Sequence, residues 1–385
     1  MIKNIKLLNK IAKVGTDRLS PEHFNVGEDV AAPYGIMVRS ASMLDMEFNP
    51  ELRAIARAGA GVNNIPIERC TDAGIVVFNT PGANANAVKE LVVCGLMLAS
   101  RNVIGGVEWA KTLREDVAKQ VEKGKSQFSG VEVFGKTLGV IGLGAIGGMV
   151  ANAAVHLGMD VVGCDPYLSV EGAWNLNHHV TKAAKYEDVY AAADYITLHV
   201  PSTPQTKGMI NRETIAKMKD GVRILNFSRA DLVVASDVKE AMESGKIAAY
   251  VTDFPTEQVL DIPGAVAIPH LGASTEEAED NCAVMAAQQL ADYILNGNIR
   301  NSVNFPAVSM PRSTDCRLCI LHKNVPSMLA RFTALCSEQG INIENLTNKS
   351  RGDVAFTLID VNGKPEEASI QKLKEMEEVM RVRVI

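Results

Sequence analysis

A glycine motif of the form G-x-G-x-x-G constrains the fold of this chain more than any other feature. Gly142, Gly144 and Gly147 follow directly on the apolar run TLGVI and open a helical stretch. In this context the first glycine makes a tight turn, the second lets a ligand approach the backbone, and the third lets the helix pack closely. The N–H groups of Ala145 and Ile146 would then bind a pyrophosphate at the positive end of the helix.

An acidic residue completes this pattern. Asp165 ends the next apolar run, VVGCD, 18 residues beyond Gly147. A carboxylate placed there accepts hydrogen bonds from the hydroxyl groups of an adenosine ribose, and its charge repels a ribose 2′-phosphate. Because Pro166 and Tyr167 bring no compensating cation, the motif predicts NAD, not NADP, as the cofactor.

Apolar, strand-like runs alternate with helical stretches from residue 135 onward, which is typical of a parallel sheet with crossover helices. The runs are continuously apolar, as expected of strands buried on both faces. An earlier set of runs indicates a second lobe, which the chain rejoins after the helical stretch 275–295. We therefore predict an α/β protein with a doubly wound parallel-sheet, Rossmann-type NAD-binding domain (98–287) and a discontinuous α/β substrate-binding domain (1–97 and 288–306).

The chain ends in a smaller α/β unit. Residues 307–314 contain proline and small polar residues and are predicted to form a linker. Residues 315–385 show the order βαββαβ of ferredoxin-like folds, with the last helix predicted over 369–380. Cys316 and Cys319 lie three positions apart on the first of these strands and should point to opposite faces, so we expect no metal site there.

Composition and charge exclude several classes of partner. The 385 residues are 47% hydrophobic with a net charge of −6, whereas nucleic acids and membrane surfaces favour a concentrated basic field. The start, MIKNIKLLNKIAK, lacks the apolar core of a leader peptide, and no run approaches the roughly 20 apolar residues of a membrane span. Seven scattered cysteines suit reduced thiols. We predict a cytoplasmic protein that binds neither nucleic acid nor membrane.

Three polar residues follow strands of the predicted dinucleotide-binding sheet and suit hydride transfer. A cation must polarise the carbonyl and hold a carboxylate, and an acid or base must move the hydroxyl proton. Arg229 lies just beyond the run VRILNF and His270 ends VAIPH, where strand ends face the ligand crevice. Glu257 follows AAYVTDF. A carboxylate against His270 would raise the pKa of the imidazole and orient it.

Five segments, GLGAIG, HVPSTPQT, NFSRA, DFPTE and PHLGAST, resemble in order and chemistry the D-isomer-specific 2-hydroxy-acid dehydrogenase family. The resemblance extends over nearly the whole chain up to Pro306. It implies that Arg229 binds the carbonyl and carboxylate, that His270 is the acid/base, and that Glu257 is its partner in a proton relay. It also implies a nicotinamide pocket formed by His199, Pro201, Ser228 and Asp253.

The same resemblance implies where a small-molecule substrate binds. The segment VRSAS places Arg39 at a substrate phosphate, for which a planar guanidinium is well suited. RAGAGVNN offers the N–H groups of Ala60 and Gly61 to a carboxylate, and NTPGAN puts Asn84 beside the substrate. We therefore expect a phosphorylated 2-hydroxy acid. The alternatives are an unphosphorylated acid and an NAD-sensing interaction protein without turnover.

The C-terminal unit resembles the ACT regulatory domain in the segment HKNVPSMLARFTALCSEQGINI. The resemblance implies a homo-oligomer, dimer or tetramer, with an amino-acid effector held between paired domains by His322, Asn324 and Asn342. A simple dimerisation module is the alternative, because a βαββαβ unit has an exposed edge whatever it binds.

Several positions depart from the family pattern. Asp231 follows the catalytic arginine segment where glycine is usual, and Ala41 stands in place of a second phosphate-binding arginine. The acidic partner lies one residue closer than usual to its upstream aspartate, which leaves either Asp253 or Thr252 at the nicotinamide amide. In the C-terminal unit Ser327 replaces a glycine.

Overall fold

A computed structural model describes residues 2–385 of the chain, which divide into two compact units. The first comprises residues 2–84 and 279–385, and the second comprises residues 85–278. The predicted α/β class is confirmed: each unit contains a parallel sheet, and the first also contains a four-stranded antiparallel sheet.

The first unit begins with a five-stranded parallel sheet in the order β2-β1-β3-β4-β5. Its strands are β1 (Lys3–Leu7), β2 (Phe24–Gly27), β3 (Gly35–Val38), β4 (Ala54–Arg57) and β5 (Val76–Phe78), with helices α1 (Lys13–Thr16) and α2 (Ile67–Asp72). Alternate residues of β3 enter different cores, Met37 on one face and Ile36 and Val38 on the other. Both faces of the sheet are therefore covered at its centre, which explains why β3 and β5 are apolar and buried throughout.

The second unit contains a seven-stranded parallel sheet in the order β12-β11-β10-β9-β6-β7-β8. Its strands are β6 (Thr137–Ile141), β7 (Asp160–Cys164), β8 (Val180–Lys182), β9 (Tyr195–Leu198), β10 (Val222–Asn226), β11 (Ile247–Thr252) and β12 (Val266–Ala267). The chain reverses its direction across the sheet between β6 and β9. Ligands of open α/β sheets bind at the carboxyl ends of the strands at such a switch point.

Helices connect these strands. They are α3 (Ala85–Ser100), α4 (Val103–Ala110), α5 (Val117–Gly124), α6 (Ala145–His156), α7 (Val170–Trp174), α8 (Tyr186–Ala192), α9 (Arg212–Ala216), α10 (Ala235–Glu243) and α11 (Glu257–Leu260), with 3₁₀ turns at Lys125–Phe128 and Ala230–Leu232. Within residues 2–385 no single helix is long and apolar enough to cross a membrane. The pair α3 and α4 reaches that length and composition only together, with a bend of 70° between them.

After α12 (Glu276–Asn296) the chain forms the antiparallel sheet, in the order β14-β15-β13-β16. Its elements are β13 (Cys316–Lys323), α13 (Met328–Glu338), β14 (Asn342–Arg351), β15 (Val354–Asn362), α14 (Glu367–Lys374) and β16 (Val379–Val384). The predicted βαββαβ order is confirmed. The prediction of a helix to residue 380 was wrong, because Val379 already pairs with His322 in the sheet.

Cys316 and Cys319 lie on β13 as expected and point to opposite faces. Cys316 packs against the core under the helices of the antiparallel sheet, and Cys319 belongs to the core shared with α12. Among residues 2–385 no group of three or more potential metal ligands is found.

A buried ion pair fixes the antiparallel sheet to the rest of the first unit. Arg317 and Asp360 are both fully buried, with Nε 2.5 Å from Oδ1 and Nη2 2.8 Å from Oδ2. The remaining donors of Arg317 reach the carbonyl oxygens of Asn296, Met310 and Pro311. The segment predicted as a linker is thus held by hydrogen bonds, which extend to the N–H and hydroxyl groups of Ser313 on Asp360.

The end of α12 is capped from the same sheet. The last carbonyl groups of a helix have no partner within it and carry partial negative charge. Arg383 donates from Nη2 to the carbonyl of Tyr293 at 2.7 Å and from Nη1 to that of Ile294 at 3.4 Å. Its guanidinium also lies 4.1 Å from the centre of the Tyr293 ring. Two arginines of the antiparallel sheet therefore bind one helix end.

We expect replacement of Arg317 by alanine to lower the free energy of unfolding by about 3–5 kcal/mol, because it leaves the Asp360 carboxylate buried without its cation. Urea unfolding at pH 7 measures the loss. The exposed pair of Arg331 with Glu378 is the control, and Arg331→Ala should cost less than about 1 kcal/mol. Equal effects of the two substitutions would contradict the assignment of Arg317 as an anchor.

The same pair determines how stability responds to acid. Burial raises the pKa of Asp360, but hydrogen bonds from Arg317 and Ser313 outweigh it and leave the pKa below its ordinary value. The contribution of Asp360 is therefore complete above its unfolded pKa, about 3.9, and is lost only as the pH falls through the lower folded value.

Ser327 begins α13 with a left-handed backbone, φ 69°. This conformation costs an L-residue roughly 1–2 kcal/mol, and glycine adopts it freely at an entropic cost of about 0.5–1 kcal/mol. Ser327→Gly should therefore raise the free energy of unfolding by about 0.5–1 kcal/mol. A slightly higher midpoint of thermal unfolding would measure this gain. Ser337→Gly, within the right-handed part of α13, should lower the midpoint. A loss of stability in both variants would contradict this reading of the turn.

Candidate active site

The glycine turn between β6 and α6 is shaped by close backbone approach. Gly142 has φ +90°, and a Cβ atom there would lie 2.4 Å from the carbonyl oxygen of His199. A Cβ on Gly147 would lie 1.9 Å from the carbonyl oxygen of Gly142. By contrast, a Cβ on Gly144 would meet nothing within 4 Å. The first and third glycines thus allow the turn to pack, and the second leaves the start of α6, with the N–H groups of Ala145 and Ile146, open to a pyrophosphate.

Asp165 is held rigidly at the end of β7. Its Oδ2 accepts a hydrogen bond from the N–H of Leu143 at 2.9 Å, and its Oδ1 accepts one from Tyr167 at 2.8 Å. Each carboxylate oxygen keeps a further lone pair for a ribose hydroxyl. A cavity of about 600 Å³ borders Asp165, and His178 and Lys182 also line it. These basic side chains were not predicted from the sequence, because they lie 13 and 17 positions beyond Asp165.

His199 follows β9 at the switch point. Its Nε2 lies 2.9 Å from Thr197 Oγ1, whereas its Nδ1 is buried without a hydrogen-bond partner among the described residues. Burial lowers the pKa of His199 to about 3, so the imidazole is neutral at physiological pH. The next loop is tied to the neighbouring strand, since Ser228 Oγ donates to the carbonyl of Val200 at 2.6 Å. Pro201 is exposed beside it.

The two candidates for the nicotinamide amide are distinguished by their hydrogen bonds. Thr252 Oγ1 donates to the carbonyl of Asn226 at 2.8 Å and accepts from the N–H of Phe254 at 3.2 Å. Asp253 is 1% exposed, yet its Oδ1 has no partner within residues 2–385. A buried acceptor of this kind costs free energy unless a ligand satisfies it. Asp253 therefore fits a carboxamide N–H group of the cofactor, and Thr252 does not.

The charge of Asp253 depends on its neighbours. Burial raises the pKa of its carboxyl group, and the nearby charges of His270 and Arg229 oppose that increase. Asp253, His270 and Arg229 therefore form one electrostatic cluster within the second unit.

Arg229 stands in a turn organised by a residue that the sequence analysis did not single out. Asn226 donates from Nδ2 to the carbonyl of Arg229 at 2.8 Å and accepts from the N–H of Ser228 at 3.2 Å. The Arg229 side chain is exposed, with Nη1 on the carbonyl of Ser228. The carboxylate of Asp231 instead accepts a hydrogen bond from Ser202 Oγ at 2.6 Å. The turn thus presents a guanidinium while its acidic neighbour is engaged elsewhere.

His270 is exposed and packs on Phe254, with ring centres 4.7 Å apart. Glu257, its predicted partner, is an exposed residue in the first turn of α11. Within residues 2–385 no hydrogen bond or ion pair of up to 4.0 Å joins Glu257 to His270. The positive charge of His270 instead lowers the pKa of Asp253, against the effect of burial. The structure thus does not bring the predicted His–Glu pair into contact.

In the first unit, Arg39 begins a tightly fixed loop after β3. Asn9 Oδ1 accepts hydrogen bonds from the N–H groups of Arg39, Ser40 and Ala41 at 3.2, 3.1 and 2.9 Å. Asn64 Nδ2 donates to the carbonyl groups of Arg39 and Ala41. The side chains of Asn9 and Asn64 thus fix the backbone conformation at Arg39, and the Arg39 side chain is not needed for it.

The predicted carboxylate loop follows β4 in the same unit. The carbonyl group of Ala60 accepts a hydrogen bond from Asn79 Nδ2 at 2.7 Å, while Gly61 is part-exposed. Asn84 is also part-exposed, in the turn that precedes α3.

Arg57 is a functional candidate that the sequence analysis missed. Its Nε donates to the carbonyl of Arg39 at 3.1 Å, and within residues 2–385 it forms no ion pair with a carboxylate. Burial lowers the pKa of Arg57, and the positive charge of Arg39 lowers it further. The signal was present in the run RAIARAG, where Arg57 ends a predicted strand just as Arg39 does.

The predicted effector residues do not meet within one antiparallel sheet. His322 is 3% exposed, with Nδ1 2.8 Å from the carbonyl of Lys323 and Nε2 2.9 Å from Thr357 Oγ1. Asn324 lies at the same end, where it donates to the carbonyl of Gly352. Asn342 lies at the opposite end, since it pairs with Asn362, whereas His322 pairs with Ala355.

The dinucleotide-binding part of the chain matches a known family. Residues 96–272 match the family described as D-isomer specific 2-hydroxyacid dehydrogenase, NAD binding domain. The D-3-phosphoglycerate dehydrogenase of Synechocystis sp. is 36% identical to this chain over an alignment of 294 residues that covers 73% of this chain and 50% of that protein. The chain thus spans about half the length of the curated relatives it matches.

Solved structures share this architecture. The NAD⁺-bound 3-phosphoglycerate dehydrogenase of Entamoeba histolytica is 28% identical, with a TM-score of 0.61 over 79% of this chain and 99% of that chain. A glyoxylate reductase from Paecilomyes thermophila, at 23% identity, has a TM-score of 0.64 over 78% and 98% of the two chains and is similar in fold alone. Together with the glycine turn and Asp165, the family match and the phosphoglycerate dehydrogenase relatives establish that residues 96–272 are an NAD-binding domain of the D-isomer specific 2-hydroxyacid dehydrogenase family, with NAD as the cofactor.

Proposed function

We propose that this protein oxidises D-3-phosphoglycerate to 3-phosphohydroxypyruvate with NAD, the reaction that opens serine biosynthesis. The observation that carries the proposal is the pair of neighbouring arginines in the first unit, Arg39 just after β3 and Arg57 at the end of β4. A phosphate monoester carries a charge of about −1.5 to −2 at pH 7 and accepts several charge-assisted hydrogen bonds. Arg57 thereby supplies the second cation that Ala41 does not.

Residues of the second unit are proposed to carry out the chemistry. Bound NAD⁺ supplies the hydride acceptor. Arg229 binds the substrate carboxylate and stabilises the developing carbonyl, and His270 takes the hydroxyl proton as the C–H hydride leaves. Asp253 orients the nicotinamide amide through the oxygen that has no partner in the free protein.

The proton relay from His270 to Glu257 remains part of this proposal. Catalytic hydrogen bonds are often long in structures without ligands and shorten in the substrate complex.

The finer organisation is also proposed: a substrate-binding domain, an NAD-binding domain, the segment 307–314 and a C-terminal ACT-like domain, within a homo-oligomer. An amino-acid effector would require two copies, because Asn342 lies at the opposite end of the sheet from His322 and Asn324. Both ring nitrogens of His322 are already engaged. Its proposed contribution is therefore to shape the site.

The main alternative is a hydroxypyruvate or glyoxylate reductase of the same family, whose substrates have no phosphate. The non-enzymatic alternative is an interaction protein that senses NAD. Binding of NADH without turnover of any 2-hydroxy or 2-keto acid would favour it.

Arg39→Ala and Arg57→Ala should each raise the KM for D-3-phosphoglycerate about 10- to 100-fold, since a hydrogen bond to a charged group contributes about 1.5–3 kcal/mol. The KM for hydroxypyruvate should change less than threefold. Steady-state kinetics with both substrates measure the difference. Arg53→Ala, just before the start of β4, is the matched control and should leave both values unchanged. Equal losses with both substrates would favour the unphosphorylated alternative.

His270→Ala should lower kcat at least 100-fold, the usual effect of removing a general acid or base. NADH affinity, followed by its fluorescence, should stay within twofold of wild type. His23→Ala, which removes an exposed histidine of the first unit, controls for nonspecific effects. Turnover near the wild-type value would remove His270 from the proposed mechanism.

A further inference from the structure

The guanidinium of Arg39 already has an anionic partner within the first unit. Its Nη2 lies 2.7 Å from Glu279 Oε1, and the two side chains are 40% and 43% exposed. Glu279 stands near the start of α12, about 240 positions from Arg39 along the chain. Its carboxylate therefore occupies a donor of the arginine to which the proposed function assigns the substrate phosphate.

Glu279 is not needed to hold Arg39 in place. Asn9 and Asn64 fix the backbone of the loop, and Arg57 adds a hydrogen bond to the carbonyl of Arg39. An exposed ion pair with one close contact adds little rigidity to such a loop. The contact of Glu279 is with the guanidinium alone.

The two neighbouring cations, Arg39 and Arg57, explain why an anion beside them is favourable. Arg57 carries a pKa lowered by burial and by the charge of Arg39, so the free protein gains when a negative charge lies beside the pair. Glu279 supplies one negative charge. A phosphate monoester supplies up to two, with three acceptor oxygens.

The helix dipole alone does not account for the contact of Glu279 with Arg39. Acidic residues in the first turn of a helix interact favourably with its dipole, and Glu276, Glu277 and Glu279 all lie near the start of α12. Among these three, only Glu279 forms an ion pair in the described part of the chain. Glu277 therefore serves as a control that shares the helix position but lacks the pairing.

We infer that Glu279 is a specificity-determining residue: it takes the place of the substrate phosphate on Arg39 and is displaced when a phosphorylated acid binds. The inference rests on the proposed function in so far as the anion is a substrate phosphate. Glu279 then weakens the binding of phosphorylated ligands and has no effect on acids that carry no second anionic group. Competing groups at a binding site set such differences in affinity.

Glu279→Gln should lower the KM for D-3-phosphoglycerate by about two- to fivefold, the range expected for loss of one exposed ion pair. The value of kcat and the KM for hydroxypyruvate should stay unchanged. Glu277→Gln should alter none of these values. In an Arg39→Ala background, Glu279→Gln should have no further effect, since a coupling between two groups disappears when either is absent.

A second measurement does not depend on turnover. Inorganic phosphate, titrated against the full chain and followed by thermal shift, should bind Glu279→Gln two- to fivefold more tightly than wild type or Glu277→Gln. An unchanged phosphate affinity would overturn the inference even if the enzyme oxidises phosphoglycerate. A higher KM in Glu279→Gln would also overturn it, because Glu279 would then position Arg39. Tighter phosphate binding without any turnover of phosphoglycerate would support the anion competition and reject the proposed function.

Discussion

The distance between the end of β6 and the start of α6 is the constraint on which the second unit depends. The carbonyl oxygen of Gly142 lies where a side chain on Gly147 would begin, and the carbonyl of His199 comes almost as close to Gly142. Any Cβ atom at either glycine would separate the helix from the sheet. Because the helix stays close, its first N–H groups point to the same edge at which β7, β9, β10 and β11 end. The Asp165 carboxylate reinforces this arrangement by accepting the N–H of Leu143 inside the turn.

The carboxyl edge of the seven-stranded sheet contains buried polar groups without hydrogen-bond partners in residues 2–385, which lower stability. Among the described residues, Oδ1 of the buried Asp253 has no hydrogen-bond partner, and neither has the buried Nδ1 of His199, whose imidazole burial keeps neutral. Such groups reduce the stability of the free protein and are retained where a ligand supplies the missing hydrogen bonds. A cofactor carboxamide has both a donor and an acceptor. These two groups are therefore the ones that the proposed cofactor would satisfy.

Local patterns in the sequence predicted where several candidate residues lie in the fold. Pairs of residues that are distant along the chain could not be predicted in this way. The glycine turn, Asp165 and the strand-end positions of Arg229 and His270 all follow from runs of a few residues. The hydrogen bond of Arg57 to Arg39 joins the end of β4 to the loop after β3, and no local sequence pattern predicts it. The same holds for helix α14, whose end is decided by the pairing of β16 with β13 and not by its own helical periodicity. Whether Glu257 contacts His270 likewise depends on how the segments after their strands fold, which no local pattern predicts.

Helix α12 connects two of the constraints in the first unit. Near its start Glu279 lies against Arg39, and at its end Arg317 and Arg383 bind the last carbonyl groups. At 1.5 Å per residue, the span from Glu279 to Asn296 is about 25 Å of continuous helix. Charge-assisted hydrogen bonds join its end to the antiparallel sheet, and a buried ion pair fixes that sheet. Under the function proposed above, a ligand that alters the packing of the antiparallel sheet would act on the same helix that places Glu279 beside Arg39. The proposed regulation and the proposed phosphate binding would then depend on one structural element.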